Sequence, residues 1–276
     1  MKKRLMAAVL STAMAATMLL TGSISVQAAD AAAANDPAVE LIFTSVSVSG
    51  DSHTEAMYEF ADKVEELSGG SVTCKCYDNG SLFSSENEFD ALLNGDADLA
   101  YISFPTIATQ IPSYSMFASG YLFSSYEHMT SVLNGDIGLN KIRPQIEETL
   151  NIKPLSSFYL GSRVINTREK EINSYDDMNG LLLRMPNSEA WLFLGEALGA
   201  NPTPLSFSEL YTALQTGAVD AQDNPLPSIE SAKFYEVTKY IAITNNVVDS
   251  IMPCINGDTW NEMTEAQQEA VTEAME

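Results

Sequence analysis

In the stretch L-L-L-R-M-P-N (181–187), Arg184 follows three leucines and sits two residues before a proline. The leucines read as a buried strand, and a guanidinium inside one needs an anion beside it. That anion is either an Asp or Glu of the chain or a carboxylate brought by a ligand. A planar guanidinium can hold the latter through two parallel N–H bonds. The scarcity of cations sharpens the question. The chain carries 14 Lys+Arg against 37 Asp+Glu, a formal charge of −23. Beyond Arg4 its arginines are Arg143, Arg163, Arg168 and Arg184. Arg168 lies in a polar turn and Arg143 on a helix before a proline, so both read as surface residues.

Other reactive groupings are sparse. The sequence has no G-x-S-x-G, H-E-x-x-H, Walker loop or dinucleotide fingerprint. Its carboxylates lie mostly on exposed helix faces, such as Glu65–Glu66 and Glu147–Glu148. His53 and His128 stand alone without metal-ligand spacing to cysteines, so no metal and no cofactor are expected. Cys74 and Cys76 in V-T-C-K-C-Y-D alternate on a strand and point to one face, which reads as buried free thiols. A bridge from Cys254 to either is the oxidised alternative. Binding fits this inventory better than catalysis.

The elements that must position Arg184 follow from periodicity. V-E-L-I-F-T-S-V-S (39–47) reads as a buried strand. T-E-A-M-Y-E-F-A-D-K-V-E-E-L-S-G-G follows as a helix with Met57, Phe60, Ala61, Val64 and Leu67 on one stripe, stopped by Gly69–Gly70. S-V-T-C-K-C-Y-D-N-G is a strand ending in an Asn-Gly turn. Ser85 and Glu88 are spaced as a capping box, and Gly95 suits a left-handed helix end. D-A-D-L-A-Y-I-S then returns as a strand. Downstream, G-L-L-L-R-M-P is a strand, a helix runs from an N-cap at Asn187 to Gly199, and a second helix opens with Ser206 and Glu209 as a capping box. A-V-D-A-Q-D-N-P closes that unit. Two β-α-β-α-β units imply an α/β protein with a largely parallel sheet. Residues 91–98 and 213–220 share A-L-x-x-G-x-x-D at matching places in the two units, which supports two related lobes with a cleft at the carboxyl ends of their strands.

The first 28 residues read as a signal peptide. Lys2, Lys3 and Arg4 precede an apolar core, and Val26 and Ala28 stand at the −3 and −1 positions of a cleavage site. A serine stands where a lipoprotein signal needs cysteine, so no lipid anchor is expected by that route. The protein is expected in the periplasm or extracytoplasmic space, soluble after cleavage. Its acidity repels nucleic acid and anionic lipid, and no nucleic-acid partner is expected.

L-R-M-P-N-S-E-A-W-L-F-L-G-E-A-L-G-A-N-P-T-P-L-S-F-S-E-L-Y-T-A-L-Q-T-G-A-V-D-A-Q-D-N-P (183–225) closely resembles the core signature of the substrate-binding subunits of TRAP transporters, the DctP family. The likeness extends over roughly residues 39 to 262, through the 60–103 segment and K-F-Y-E-V-T-K-Y-I-A-I-T. It implies a two-lobed, type II-like periplasmic-binding-protein fold with a ligand cleft between lobes. The division implied is a first lobe over 29–160, a second over 161–246 and a return segment over 247–276. It also implies an extracytoplasmic receptor that captures an organic acid and delivers it to small and large integral membrane subunits for ion-gradient-driven uptake. By that resemblance Arg184 occupies the ligand-carboxylate position. Arg163 matches a second arginine that contacts the same carboxylate or another. Asn187 hydrogen-bonds the ligand or caps the helix, Phe207 lines the ligand or the core, and Asn224 lies near the site. Ser103, at the carboxyl end of the first lobe's third strand, is a polar contact; Val46, Ser47 and His53 lie near the end of the first. Family members continue past W-x-x-M-T-x-A-Q-Q-x-A, so the chain reads as a truncated form. An ABC-type or sensor-associated solute receptor is the alternative within binding, and an exported enzyme acting on an acidic sugar the alternative outside it. Nothing in the residues selects the particular acid.

Overall fold

A computed structural model describes residues 36–276, so the signal-peptide reading of residues 1–28 lies outside the described residues. The strands are β1 (Val39–Thr44), β2 (Val72–Tyr77), β3 (Leu99–Ile102), β4 (Ile152–Pro154), β5 (Phe158–Thr167), β6 (Leu182–Met185), β7 (Asn201–Pro204), β8 (Ala221–Pro225), β9 (Tyr240–Ala242) and β10 (Val248–Asn256). The helices are α1 (Ser52–Leu67), α2 (Glu88–Asn94), α3 (Phe104–Ile107), α4 (Tyr126–Leu133), α5 (Arg143–Leu150), α6 (Glu189–Ala197), α7 (Phe207–Thr216), α8 (Leu226–Ser231), α9 (Gly257–Glu262) and α10 (Glu265–Ala274). Among the described residues no helix is long and apolar enough to cross a membrane.

The strands follow one path, β2-β1-β3-β10-β5-β8-β6-β7. Parallel pairing is confined to two triples, β2-β1-β3 and β7-β6-β8, which are the two β-α-β-α-β units of the sequence. β10 runs antiparallel to β3, β5 runs antiparallel to β8, and the two pair antiparallel with each other. The sheet is therefore mixed rather than largely parallel. Helical crossovers return the chain in one direction only inside a unit, and β5 and β10 enter from outside both.

The weak A-L-x-x-G-x-x-D repeat is a structural repeat down to single hydrogen bonds. Gly95 and Gly217 end α2 and α7 in the left-handed conformation, at φ 77° and 82°. The aspartate three residues later ties each loop to the central strand of its own unit. Asp98 accepts from the Ile42 N–H on β1 (2.8 Å), and Asp220 accepts from the Leu182 N–H on β6 (3.0 Å). The carbonyl of Asp98 accepts from Asn256 at the end of β10, and that of Asp220 from Arg168, one residue beyond β5. The two halves share one plan, with β10 and β5 in equivalent places.

Helices cover both faces of each half-sheet. In α1, Met57, Phe60 and Val64 are buried while Ala61 and Leu67 are half-buried. They pack with Leu41 and Phe43 of β1 and Leu99 of β3; burying one such side chain contributes about 1.5–3 kcal/mol. The second half has its own clusters, one around Leu183, Met185 and Trp191 and one around Leu210, Leu214 and Phe234. Cys254 is buried, but Cys74 and Cys76 are only half-buried because β2 is an edge strand; all three are free thiols. Arg143, read as a surface residue, is also half-buried, donating to the Leu155 carbonyl (2.9 Å) and Asn134 Oδ1 (2.5 Å). The Ser85–Glu88 capping box does not form. α2 begins two residues later, at Glu88 behind Asn87. At α7 the Ser206 hydroxyl bonds the Glu209 carboxylate (2.5 Å) instead of a backbone N–H.

β5 and β10 each start in one half of the sheet and end in the other, and their pairing breaks register between Asp249 and Ser250. Gly161 sits at that break with φ +130°, and a Cβ there would lie 2.4 Å from Cβ of Pro225. Gly161→Ala is therefore expected to lower stability by about 2–4 kcal/mol through backbone strain and overpacking, read as a shift of the urea midpoint at unchanged slope.

Candidate ligand-binding site

The loops at the carboxyl ends of β1, β3, β6 and β8 face one another across a partly open cavity of about 150 Å³. The first half contributes Ser47, Asp51, Glu88, Tyr101, Ser103 and Thr106, among others. The second contributes Arg184, Pro186, Trp191, Phe207, Asn224 and Ser228. Leu160 and Arg163 of β5, and Asp249 and Ile251 of β10, form the wall where the halves join. Two hydrogen bonds bridge the halves beside the cavity. The Phe207 N–H donates to Ser85 Oγ (3.3 Å), and the Ser231 hydroxyl donates to Asp51 Oδ2 (3.1 Å).

Arg184 is 2% exposed, and its Nε donates to the Leu205 carbonyl (2.8 Å). Its guanidinium lies 5.9 Å from the centre of the Phe207 ring. Among the described residues no carboxylate pairs with it, and Nη1 and Nη2 make no protein hydrogen bond. Burial, reinforced by the charge of Arg163, pushes the guanidinium down to about 9, so it remains protonated at neutral pH. It is a buried, charged, bidentate donor without an anion among the described residues.

Arg163 is also buried, but it is paired. Nε donates to Asp249 Oδ2 (2.7 Å), and Nη1 donates to the Asp223 carbonyl (2.5 Å) with Asp223 Oδ1 at 3.6 Å. The guanidinium stacks on Trp191, 4.2 Å from the ring centre. Burial works against its charge, yet Asp249 and Asp223 outweigh it and hold the guanidinium above its ordinary value. Asp223 moves upward: burial dominates, although Arg163 and the Asn246 amide (2.8 Å) pull the other way.

The remaining expected contacts divide. Asn224 lines the cavity, its Nδ2 donating to Gln222 Oε1 (2.6 Å) and its Oδ1 facing Arg163 Nη1 at 3.5 Å. Phe207 lines the cavity and Ser103 faces it with its hydroxyl bonded to Thr106 (2.9 Å). Asn187 is exposed, is not among the residues lining the cavity, and does not cap α6. Ser188 is the N-cap, accepting from the Trp191 N–H (3.4 Å): it is the extended residue, while Asn187 lies in a bend closed by the Ser188 N–H to the Pro186 carbonyl (2.9 Å). Val46 and Ser47 line the cavity, while His53 is buried against Asp51 (3.2 Å). Burial raises the Asp51 carboxyl, but the His53 bonds outweigh it and the net shift is downward.

Asp51, Glu88, Trp191, Ser228 and Asp249 were not anticipated from the sequence. Asp249 stands 86 positions from the arginine it pairs with, and no local pattern marks such a contact. Glu88 is 5% exposed, and its Oε1 has no hydrogen-bond partner. Burial raises its carboxyl well above the usual range; the nearby Thr44 hydroxyl, itself unpartnered, offsets only part of that. Among the described residues no group of three or more His, Cys, Asp or Glu could hold a metal ion.

Comparison with known proteins places this geometry. The model of the bacterial extracellular solute-binding proteins of family 7, DctP, matches residues 43–276. The sialic acid-binding periplasmic protein SiaP of Vibrio cholerae is 33% identical over 216 residues, 78% of this chain and 67% of SiaP. The chain thus spans about two thirds of that relative's length. A TRAP periplasmic solute-binding protein of Roseobacter denitrificans, solved with bound 3-deoxy-D-manno-oct-2-ulosonic acid, superposes with a TM-score of 0.81 at 38% identity, covering 87% of this chain and 78% of that one. The sugar acid-binding protein DctPAm of Advenella mimigardefordensis, solved with galactonate, gives 0.83 at 29% identity over 87% and 77%.

The raised Glu88 carboxyl has a consequence for stability. A carboxyl whose folded value lies above its unfolded one binds more protons folded than unfolded between the two. Its contribution is full below the unfolded value and is lost as pH rises through the folded one. Glu88→Gln should therefore melt at a higher temperature relative to the unaltered protein at pH 8 than at pH 4.5, as read by thermal unfolding at both.

Proposed function

The chain belongs to family 7 of the bacterial extracellular solute-binding proteins, the DctP family, and from that premise we propose that it captures a hydroxylated organic acid by its carboxylate and hands it to membrane subunits for ion-gradient-driven uptake. One observation carries the reading: a buried, protonated guanidinium, Arg184, faces a cavity between two α/β halves without a counter-ion. A carboxylate entering there meets Nη1 and Nη2 together, in a site where water competes little. Phe207 holds the guanidinium plane from one side, and Asn224 beside it offers an amide. Arg163 reaches the same space, but two aspartates already claim its Nε and Nη1, so it orients the site and leaves Nη2 for a ligand oxygen. The ligands named for three of the relatives, sialic acid, 3-deoxy-D-manno-oct-2-ulosonic acid and galactonate, combine a carboxylate with hydroxyls, which suits a cavity with Ser47, Ser103, Thr106 and Ser228 in its walls; another relative holds succinate.

In this reading the protein works outside the cytoplasm as a receptor and releases its ligand unchanged. A transport cycle needs only reversible binding and a change of shape. The division between lobes falls on β5 and β10, so residues 29–160 with 247–276 act against residues 161–246.

Purified protein titrated calorimetrically with galactonate, glucuronate, 3-deoxy-D-manno-oct-2-ulosonic acid and succinate is expected to bind at least one acid tightly. Arg184→Ala should weaken that binding by about 30-fold or more, since removing one partner of a buried charge pair costs about 2–5 kcal/mol. Binding that survives the substitution would move the carboxylate away from Arg184. Turnover of any of these acids, followed by mass spectrometry, would show catalysis in place of a receptor.

A further inference from the structure

Glu88 stands at the first position of α2, on the wall contributed by the first half, and lines the same cavity as Arg184. A carboxylate with 5% exposure normally has a cation or several N–H donors around it. Glu88 has neither: Oε1 is unpartnered, and no arginine, lysine or histidine of the described residues pairs with it. Both arginines of the cavity lie elsewhere, Arg163 tied to its aspartates and Arg184 held by Leu205. A charged carboxylate is costly there, and burial favours the neutral acid. The cavity therefore has one cationic wall and, from the other half, a buried carboxyl that favours the neutral form, with Oε1 unpartnered and the Thr44 hydroxyl nearby.

We propose that Glu88 is a specificity-determining residue that reads a hydroxyl of the bound acid, selecting hydroxylated acids over simple dicarboxylates. The assignment rests on the reading of Arg184 as the carboxylate anchor. With its carboxylate on Arg184, an acid extends its remaining atoms toward the first half. A protonated carboxyl donates through one oxygen and accepts through the other, and a hydroxyl does both in return, so each group is satisfied. The second carboxylate of a simple dicarboxylate can accept the Glu88 hydrogen, but it has none to give the other oxygen, and its charge finds no cation on that wall. Ser103 and Thr106 discriminate less, because their hydroxyls already bond each other.

The test pairs two variants with two probes. Affinities for galactonate, which carries hydroxyls, and succinate, which carries none, are measured for the unaltered protein, Glu88→Leu and Glu88→Gln, with melting curves as a check on folding. Glu88→Leu is expected to weaken galactonate by about tenfold or more and to narrow the galactonate-to-succinate ratio by a similar factor. Glu88→Gln, which also donates and accepts, should stay within a few-fold of the unaltered protein. An unchanged ratio in Glu88→Leu overturns the assignment and leaves Glu88 a buried structural acid. Should the leucine variant not fold, loss of galactonate binding in a folded glutamine variant overturns the neutral-acid assignment, and retention supports it. If the unaltered protein binds neither probe nor any other acid, the anchor reading fails first, and this one with it.

Discussion

Everything in the site depends on a guanidinium buried without its anion. Placing an arginine on the central strand of an α/β unit costs several kcal/mol of hydration unless something repays it. The chain has 37 acidic side chains, so the lack of a partner for Arg184 is a matter of placement rather than supply. Two buried carboxylates, Asp223 and Asp249, face Arg163 instead, at 3.6 Å and 2.7 Å. Asp223 is held further by the Asn246 amide, and Asp249 Oδ1 accepts from the Ser250 N–H. Arg163 thus keeps these acids from neutralising Arg184, and its own positive charge makes Arg184 more receptive to an incoming anion. One arginine is spent on architecture so that the other stays available.

That division of labour is placed by the symmetry of the fold. In each half the central strand, β1 or β6, ends at the cavity, and an aspartate after the capping glycine fastens the loop behind it. β5 and β10 occupy equivalent positions, pair with each other and carry Arg163 and Asp249 at their junction. The ion pair therefore lies on the two strands that connect the halves. The register break at Asp249 and the left-handed-side φ of Gly161 sit within two residues of it. Backbone pairing between the two connecting strands is thus interrupted beside the ion pair that joins them.

The sequence exposed the features that are local. The A-L-x-x-G-x-x-D repeat, the stop at Gly69–Gly70 and the apolar strand before Arg184 all rest on contacts within a few residues, and each has its counterpart in the fold. What it concealed is set by distance or by geometry at helix starts. Asn187 and Ser188 are equally good caps by residue type, and the bend at Asn187 followed by an extended Ser188 chooses between them. The Ser85–Glu88 spacing imitates a capping box, but the helix opens at Glu88 and the carboxyl turns inward. The mixed sheet was hidden because β5 and β10 pair with strands far away in the chain. Asp249 and Trp191 around Arg163 are likewise visible only once β5, β10 and α6 converge.

The contacts that close the cavity are weak beside the anchor inside it. Ser85 to the Phe207 N–H is a neutral hydrogen bond worth about 0.5–1.5 kcal/mol net, and Ser231 to Asp51 a charge-assisted one worth about 1.5–3 kcal/mol. Asp51 is already supported by His53 within the first half, so separation does not leave it bare. Beside the cavity itself these two bonds are the hydrogen bonds that join the halves; farther away the Tyr121 N–H also donates to the Asn246 carbonyl (2.8 Å). A carboxylate held by Arg184 while its other end touches the first half adds a link that exists only when the cavity is shut. The ligand then shifts the balance by its differential affinity for the closed form. Under the proposed receptor function, release needs a partner that binds the open form better, and opening breaks the two bridging hydrogen bonds.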